Sequence, residues 1–299
     1  MRVLLTGASG QLGAYLLARL GERGHHVLAW SGTDAGQRAG IPLRPIDLGG
    51  LSGIAPALDE AEPEAVLHAA AMSSAAEAHR DPERARLVNV EATRRIAGWC
   101  RANGRRLVFT STDLVFDGRK PWSRESDPAE PVLTYGRTKR EAESAVLEAP
   151  RGLVARVSLL YGPSRSGRPS YFDRSLAALR RGEPQTFFED EFRTPLDLPT
   201  AAEALVGLLE TEATGIVHVG GPERVSRCDL MRRIAAALGL DPGLVRANRQ
   251  ADVPSPEPRP ADASLDSSRL ASLLPELTRP SIEEAARRFR DDVHSGDVG

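Results

Sequence analysis

Short apolar runs alternate with longer amphipathic stretches from residue 2 to about residue 162. The runs at 2–6, 26–30, 43–46, 65–69, 106–110 and 153–158 have strand length and are almost continuously hydrophobic. Such runs predict strands buried on both faces, as in a parallel sheet covered by helices. Between them, apolar residues fall at helical spacing. Leu12, Leu16, Leu17 and Leu20 mark one helix, Leu87, Val90, Ile96 and Trp99 a longer one, and Ala142, Ala145 and Val146 a third. The predicted fold class is α/β, a doubly wound parallel sheet. After residue 162 the texture changes to a polar Gly/Pro loop at 165–170, then mostly helical patterns, including one over 229–238. A further strand is predicted at 216–219. Pro254-Ser255-Pro256-Glu257-Pro258-Arg259-Pro260 reads as an extended connector, followed by short helices near 267–274 and 281–292. The expected division is a sheet domain at 1–162, with a segment around 196–221 returning to it, and a smaller, mostly helical C-terminal lobe at 163–299.

Composition narrows the class. A chain of 299 residues with 41% hydrophobic and 27% charged content can bury one large core or two joined ones. A net charge of −2 gives no reason to expect nucleic acid or an anionic membrane as partner. No apolar run approaches the roughly 20 residues of a spanning helix, and the N-terminus enters a strand at once without a signal-peptide pattern. A cytoplasmic protein is expected. Cys100 and Cys228 are too few for a disulfide framework or zinc site and read as buried thiols. His25, His26, His68, His79, His218 and His294 show no metal-ligand spacing, so no metal is expected. His68 reads as a packing residue.

The first strand runs into Gly7-Ala8-Ser9-Gly10-Gln11-Leu12-Gly13 and then into an amphipathic helix. Glycines at this spacing let the backbone turn tightly, approach a pyrophosphate and pack the helix on the sheet. The helix N-terminus then offers N–H groups and a positive dipole end to phosphates. Between strand and helix, this loop predicts dinucleotide binding and makes the sheet Rossmann-type.

The chain has two lysines against thirty-seven arginines, and one of them, Lys139, stands four residues after Tyr135. On the helix expected there, that spacing puts both on one face. A free phenol, with pKa near 10, exchanges protons poorly at neutrality. A nearby ammonium lowers that pKa towards the range useful for acid–base catalysis. Arginine is a poor substitute where a compact cation of adjustable pKa is needed. The bland alternative is a surface tyrosine beside a solvated lysine.

The spacing Gly-x-x-Gly-x-x-Gly resembles the extended short-chain dehydrogenase/reductase family, and its other marks recur in order. The resemblance implies that Asp47 and Leu48 contact adenine and that Ala69, Ala70 and Ala71, after His68, line the cofactor path. It also takes in Asn89 in the long helix as a cofactor-binding residue, Thr112 at the end of the fifth strand, and Tyr135 with Lys139, which bind cofactor as well. The implied chemistry moves a hydride between a nicotinamide and a carbonyl carbon while Tyr135 transfers the proton. Lys139 binds the nicotinamide ribose, and Thr112 hydrogen-bonds the carbonyl oxygen. A ribose-binding acid is expected about 20 residues past the glycines. This chain has Trp30-Ser31-Gly32-Thr33 there, with Asp34 beyond. Nothing then repels a 2′-phosphate, which Ser31 or Arg38 is able to bind, so NADP(H) is favoured over NAD(H). Arg38 reads equally well as an exposed loop charge.

Ser111-Thr112-Asp113-Leu114-Val115-Phe116-Asp117-Gly118 is similar to the Ser-Thr-Asp-Tyr-Val-Phe-Asp-Gly run of the dTDP-4-dehydrorhamnose reductases, and the likeness continues through 128–139 and 189–195. It implies NADPH-dependent reduction of a 4-keto group on a nucleotide-linked 6-deoxy sugar. It also extends to the regulatory β subunit of methionine adenosyltransferase. Two departures fall on the substrate side. Met72-Ser73-Ser74-Ala75-Ala76-Glu77 replaces a Val-Asp-Lys element, and Leu159 replaces a tryptophan. Substrate candidates are Ser73, Thr112, Asp113 and Arg193, the last either a pyrophosphate-binding cation or a structural ion pair. Glu189-Asp190-Glu191 reads as a solvated loop. The alternatives are a nucleotide-sugar epimerase or dehydratase and a non-catalytic NADP-binding regulatory subunit. Asp113-Leu114 does not supply a dehydratase's acid–base carboxylate pair. The resemblance also suggests a homodimer through the helices bearing Asn89 and Tyr135.

Overall fold

The computed structural model describes residues 1–288 and residue 290. Its central sheet contains β1 (Arg2–Thr6), β2 (His26–Ser31), β3 (Gly36–Arg38), β4 (Ile41–Pro45), β5 (Ala65–His68), β6 (Arg106–Thr112), β7 (Gly152–Val157) and the later strand Gly215–Val219. Across the sheet the order is Gly215–Val219, β7, β6, β5, β1, β2, β4, β3. Every pairing is parallel except that of β3 with β4. The expected strands are all present, with ends shifted by two residues or fewer. β3 was not expected. It is a three-residue hairpin arm of Gly36, Gln37 and Arg38, without an apolar run to betray it.

The continuous hydrophobic runs follow from burial on both faces. Val3 and Leu5 of β1 pack with Leu16, Leu17 and Leu20 of helix α1 (Gln11–Glu22) and with helix Leu198–Glu210. Leu4 points the other way, into a layer with Ile54, Leu58, Ile96, Ala142 and Val146. This alternation is the period-two geometry of a strand, and each such side chain contributes about 1.5–3 kcal/mol when buried. The chain runs outward from β1 through β2 to β4, then returns to β5 on the other side of β1. The crevice above β1 and β5 is therefore a topological switch point, where open α/β sheets take ligands.

A second core lies in the C-terminal lobe, around Tyr161, Phe172, Leu176, Phe187, Met231, Ile234 and Ile282. Its helices are Tyr171–Arg180, Arg227–Ala237 and Ile282–Arg288. The helix expected over 281–292 is thus seen to Arg288; residues 289 and 291–292, like His294, lie outside the described residues. Short strand pairs join Gln185–Phe188 to Val245–Asn248 and Phe192–Arg193 to Val225–Ser226. Leu198–Glu210 and Gly215–Val219 return to the first sheet, packing on α1 and pairing with β7. Cys100 and Cys228 are buried and unbonded to each other, and burial pushes the Cys100 thiol up to about 12. No described helix is long and apolar enough to cross a membrane.

Candidate active site

A cleft of about 940 Å³ runs over the C-terminal ends of β1, β5, β6 and β7. At one end lies the glycine loop. Gly7 has φ +73°, and a Cβ there would stand 2.8 Å from the Ala70 nitrogen; a Cβ on Gly13 would stand 2.1 Å from the Gly7 oxygen. Neither position admits a side chain without movement of the backbone. Gly10 is the N-cap of α1 and supplies no side-chain cap, so the first-turn N–H groups of Gln11, Leu12 and Gly13, which line the cleft, remain available to an anion. A loop this tight, opening a helix at the switch point, fits a dinucleotide pyrophosphate.

His68 locks this end together. Its Nδ1 lies 2.6 Å from the Thr6 hydroxyl and its Nε2 2.9 Å from that of Thr93. Thr93 donates to the Asn89 carbonyl, and Thr6 accepts from Ala70 N–H. The partners assign the proton to Nε2, with Nδ1 accepting from Thr6. Burial first, and the charge of Lys139 second, push His68 down to about 3. It is a neutral packing residue.

At the outer end Ser31, Asp47, Leu48, Ala69, Ala70 and Ala71 line the cleft. Asp47 pairs with Arg84 at 2.7 Å, and Ser31 donates its hydroxyl to the Asp34 carbonyl. A single Arg168 nitrogen, Nη2, donates to both Asp34 carboxylate oxygens at 2.8 and 3.0 Å, with Arg38 4.0 Å away. Arg38 itself donates to the Arg165 carbonyl and stands off the cleft wall. Asn89 is also absent from that wall. It sits in a π-helical turn, Leu87–Glu91, where its side chain exchanges hydrogen bonds with the Met72 backbone and donates to Thr138. It pins the segment after β5 to the helix Thr134–Leu147.

That helix carries Tyr135 and Lys139 to the other end of the cleft, facing Thr112 at the end of β6. Tyr135 hydrogen-bonds Thr112. Burial pushes its phenol above the ordinary value, the Asp113 carboxylate pushes in the same direction, and the Thr112 bond opposes them. This reverses the direction the sequence suggested. Burial and Asp113 outweigh the lysine on which the expected shift rested. The Lys139 ammonium is itself fully buried, 3.9 Å from the Phe109 ring centroid, and pushed down to about 7 by burial against the opposing charge of Glu143.

Asp113 accepts from Ser158 at 3.0 Å and from Thr112 at 3.2 Å. Burial pushes its carboxyl up, and Arg193, 3.4 Å away, opposes this. The Arg193 guanidinium also meets Glu191 at 3.1 Å and donates to the carbonyls of Phe192 and Pro260. Of the two readings of Arg193, the geometry matches the structural ion pair, formed at the cleft wall. Glu191 is correspondingly buried between Arg193 and Arg227, so it is not part of a solvated loop. Its partner Arg227 is 36 residues distant, beyond the reach of a local pattern.

Ser73, Ala76 and Leu159 line the cleft, as do residues the sequence did not nominate: His79, Arg84, Arg227 and the proline-rich strap residues Ser255, Pro256, Glu257, Arg259 and Pro260. The strap's clue was its prolines. A segment unable to form regular backbone bonds with itself is suited to lie across another surface.

The family profile described as RmlD substrate binding domain matches residues 1–294. A dTDP-4-keto-6-deoxy-D-glucose reductase from Streptomyces niveus is 32% identical over 281 residues, 92% of each chain. The methionine adenosyltransferase 2 subunit beta of Bos taurus is 29% identical, covering 91% of this chain and 82% of its own length. Among solved structures, that of a hypothetical dTDP-4-dehydrorhamnose reductase from Sulfolobus tokodaii superposes with a TM-score of 0.81 at 31% identity, covering 95% of this chain and 98% of that one.

Proposed function

The chain belongs to the RmlD substrate binding domain family, and on that premise we propose that it is an NADPH-dependent reductase of a 4-keto, nucleotide-linked deoxy sugar. The observation that carries this reading is the meeting of Thr112, Tyr135 and Lys139 on one wall of a cleft whose other end is the glycine loop.

When bound, the nicotinamide cofactor supplies the hydride. Gly7, Gly10 and Gly13, with the N–H groups of Gln11 and Leu12, hold its pyrophosphate; Asp47 and Leu48 take the adenine, and Ala69, Ala70 and Ala71 flank the path between. NADPH is favoured because Asp34, the acid nearest the end of β2, is engaged by Arg168. Ser31 and Arg38 remain the residues proposed for the 2′-phosphate. On the substrate side, Thr112 orients the carbonyl oxygen. Tyr135, held above its ordinary pKa, is protonated at neutral pH and gives its proton to that oxygen as charge develops. Lys139, near 7, is able to return a proton to the phenol at the same pH. Ser73 and Asp113 contact the sugar, and Arg193 holds Asp113. Residues 1–162 with the returning strand serve the cofactor, and the lobe serves the sugar nucleotide.

NADPH oxidation across a panel of dTDP- and UDP-linked 4-keto sugars tests the reading. Turnover is expected with at least one, and Tyr135→Phe should lower it about 100-fold or more while NADPH binding persists. NADP(H) binding without oxidation of NADPH by any sugar would instead favour the regulatory-subunit reading that the bovine relative suggests.

A further inference from the structure

The helix bearing Tyr135 and Lys139 begins without a cap of its own. Its N-cap is Leu133, which provides no side-chain acceptor, although the first N–H groups of any helix need partners. The acceptor comes from the proline-rich strap. Glu257 Oε1 accepts hydrogen bonds from the Thr134 N–H and the Thr134 hydroxyl, each at 2.7 Å. The same oxygen lies 3.6 Å from Arg137, and Oε2 lies 3.7 Å from His79 Nδ1. The Glu257 side chain is only 9% exposed.

One carboxylate thus joins three segments around the reacting end of the cleft: the strap, the helix Ala75–Arg80 carrying His79, and the first turn of the tyrosine helix. A carboxylate at a helix N-terminus is favoured both by hydrogen bonding and by the dipole, and the low exposure limits competition from water. Tyr135 follows Thr134 directly, so the backbone held by Glu257 is that which aims the phenol at Thr112. Ser255, Pro256, Arg259 and Pro260, on either side of Glu257, form cleft wall. We propose that Glu257 is a positioning residue: a cap supplied from the strap that fixes Tyr135 and holds the substrate wall against the catalytic helix. The effect on turnover rests on the reductase reading, whereas the latch itself does not.

The test uses the full-length protein with Glu257→Ala and Glu257→Gln, the latter keeping an acceptor oxygen for Thr134. Amide hydrogen exchange is measured first, on the free protein. Glu257→Ala should exchange about tenfold faster at 134–138 and across the strap, with β1 and β6 unchanged. No acceleration at those segments, or acceleration throughout the chain, overturns the latch. Kinetics follow with whichever 4-keto sugar nucleotide the wild type reduces. Glu257→Ala should lose about ten- to a hundredfold in kcat/KM, mainly in kcat, with NADPH affinity within about twofold, and Glu257→Gln should recover most of the loss. Equal loss in both variants, or an unchanged kcat in Glu257→Ala, overturns the positioning role. A wild type inert towards every sugar sinks the reductase reading and leaves the exchange result to decide the latch.

Discussion

Arg156 grips the carboxylate of Glu143 with two hydrogen bonds, 2.9 and 2.8 Å long, and neither side chain reaches solvent. Glu143 lies one helical turn beyond Lys139, and Ser111 of β6 donates to it at 2.6 Å. The pair therefore fastens the tyrosine helix to the two strands beneath it. Breaking it from one side leaves a buried, uncompensated charge. Glu143→Ala should lose about 3–5 kcal/mol of stability, read as a lower urea midpoint. The double replacement Glu143→Leu with Arg156→Met should recover much of that loss, since removing both charges removes the desolvation cost. A double variant as unstable as the single one would refute this account.

The glycine loop makes a sterically defined prediction. Gly13→Ala puts a methyl group into the Gly7 carbonyl, so the loop must open or α1 must shift. NADPH affinity measured by fluorescence titration should fall at least about tenfold, with about 1–3 kcal/mol lost in stability. Gly21→Ala, where the added methyl meets nothing within 4 Å, is the control and should bind normally.

Lys139 makes stability depend on pH in an unusual direction. Its folded pKa of about 7 lies below the ordinary 10.5. Between these values the unfolded chain holds a proton that the folded state has released, so stability rises with pH across the window. Below pH 7 both states are protonated and the cost of the buried ammonium is fully present. Lys139→Met should therefore be more stable than the wild type at pH 7 yet inactive, and its advantage should shrink towards pH 9. Urea midpoints at the two pH values check this; a gap that widens with pH would contradict the assignment.

Arg193 holds two buried carboxylates, Asp113 and Glu191. Arg193→Met leaves Asp113 without its cationic partner while Glu191 keeps Arg227 at 3.3 Å, and the Asp113 carboxyl should rise further once its principal opposing charge is gone. Stability should fall by about 3–5 kcal/mol, and by more as pH rises, because a carboxyl raised above its unfolded value keeps a proton that the unfolded chain has already released. Thermal melts at pH 5.5 and 8 would read the difference. If the variant melts as the wild type does at both, Arg193 is not the clamp described.

The sheet was legible because burial on both faces writes strands as mostly apolar runs; 106–110 and 153–158 needed no tertiary information. The glycine loop, Thr112, Tyr135 and Lys139 were legible as types and spacings, and the fold brings them to one cleft. What escaped has a common cause: it depends on partners distant in sequence. Glu191 looked solvated because Arg193 and Arg227 both had to be placed around it. The direction of the Tyr135 shift depends on burial and on Asp113, and the weakened charge of Lys139 on its enclosure beside Phe109. The hydrogen bonds of Asn89 to Met72 and Thr138 likewise join residues 17 and 49 positions apart, which no local pattern shows. β3 escaped for a simpler reason: three polar residues carry no period.

The strand Gly215–Val219 also governs how the chain is assembled during synthesis. β7 is complete once residue 157 has emerged, but the neighbour that covers its outer edge is made more than fifty residues later, after the whole of the helix Leu198–Glu210 and part of the lobe. Until then a nascent chain presents an apolar parallel edge, the kind of surface that recruits other strands. A fragment ending at residue 162 keeps that edge permanently. It should aggregate where the full chain folds, even though it carries the entire glycine loop and all three residues of the proposed proton-transfer group.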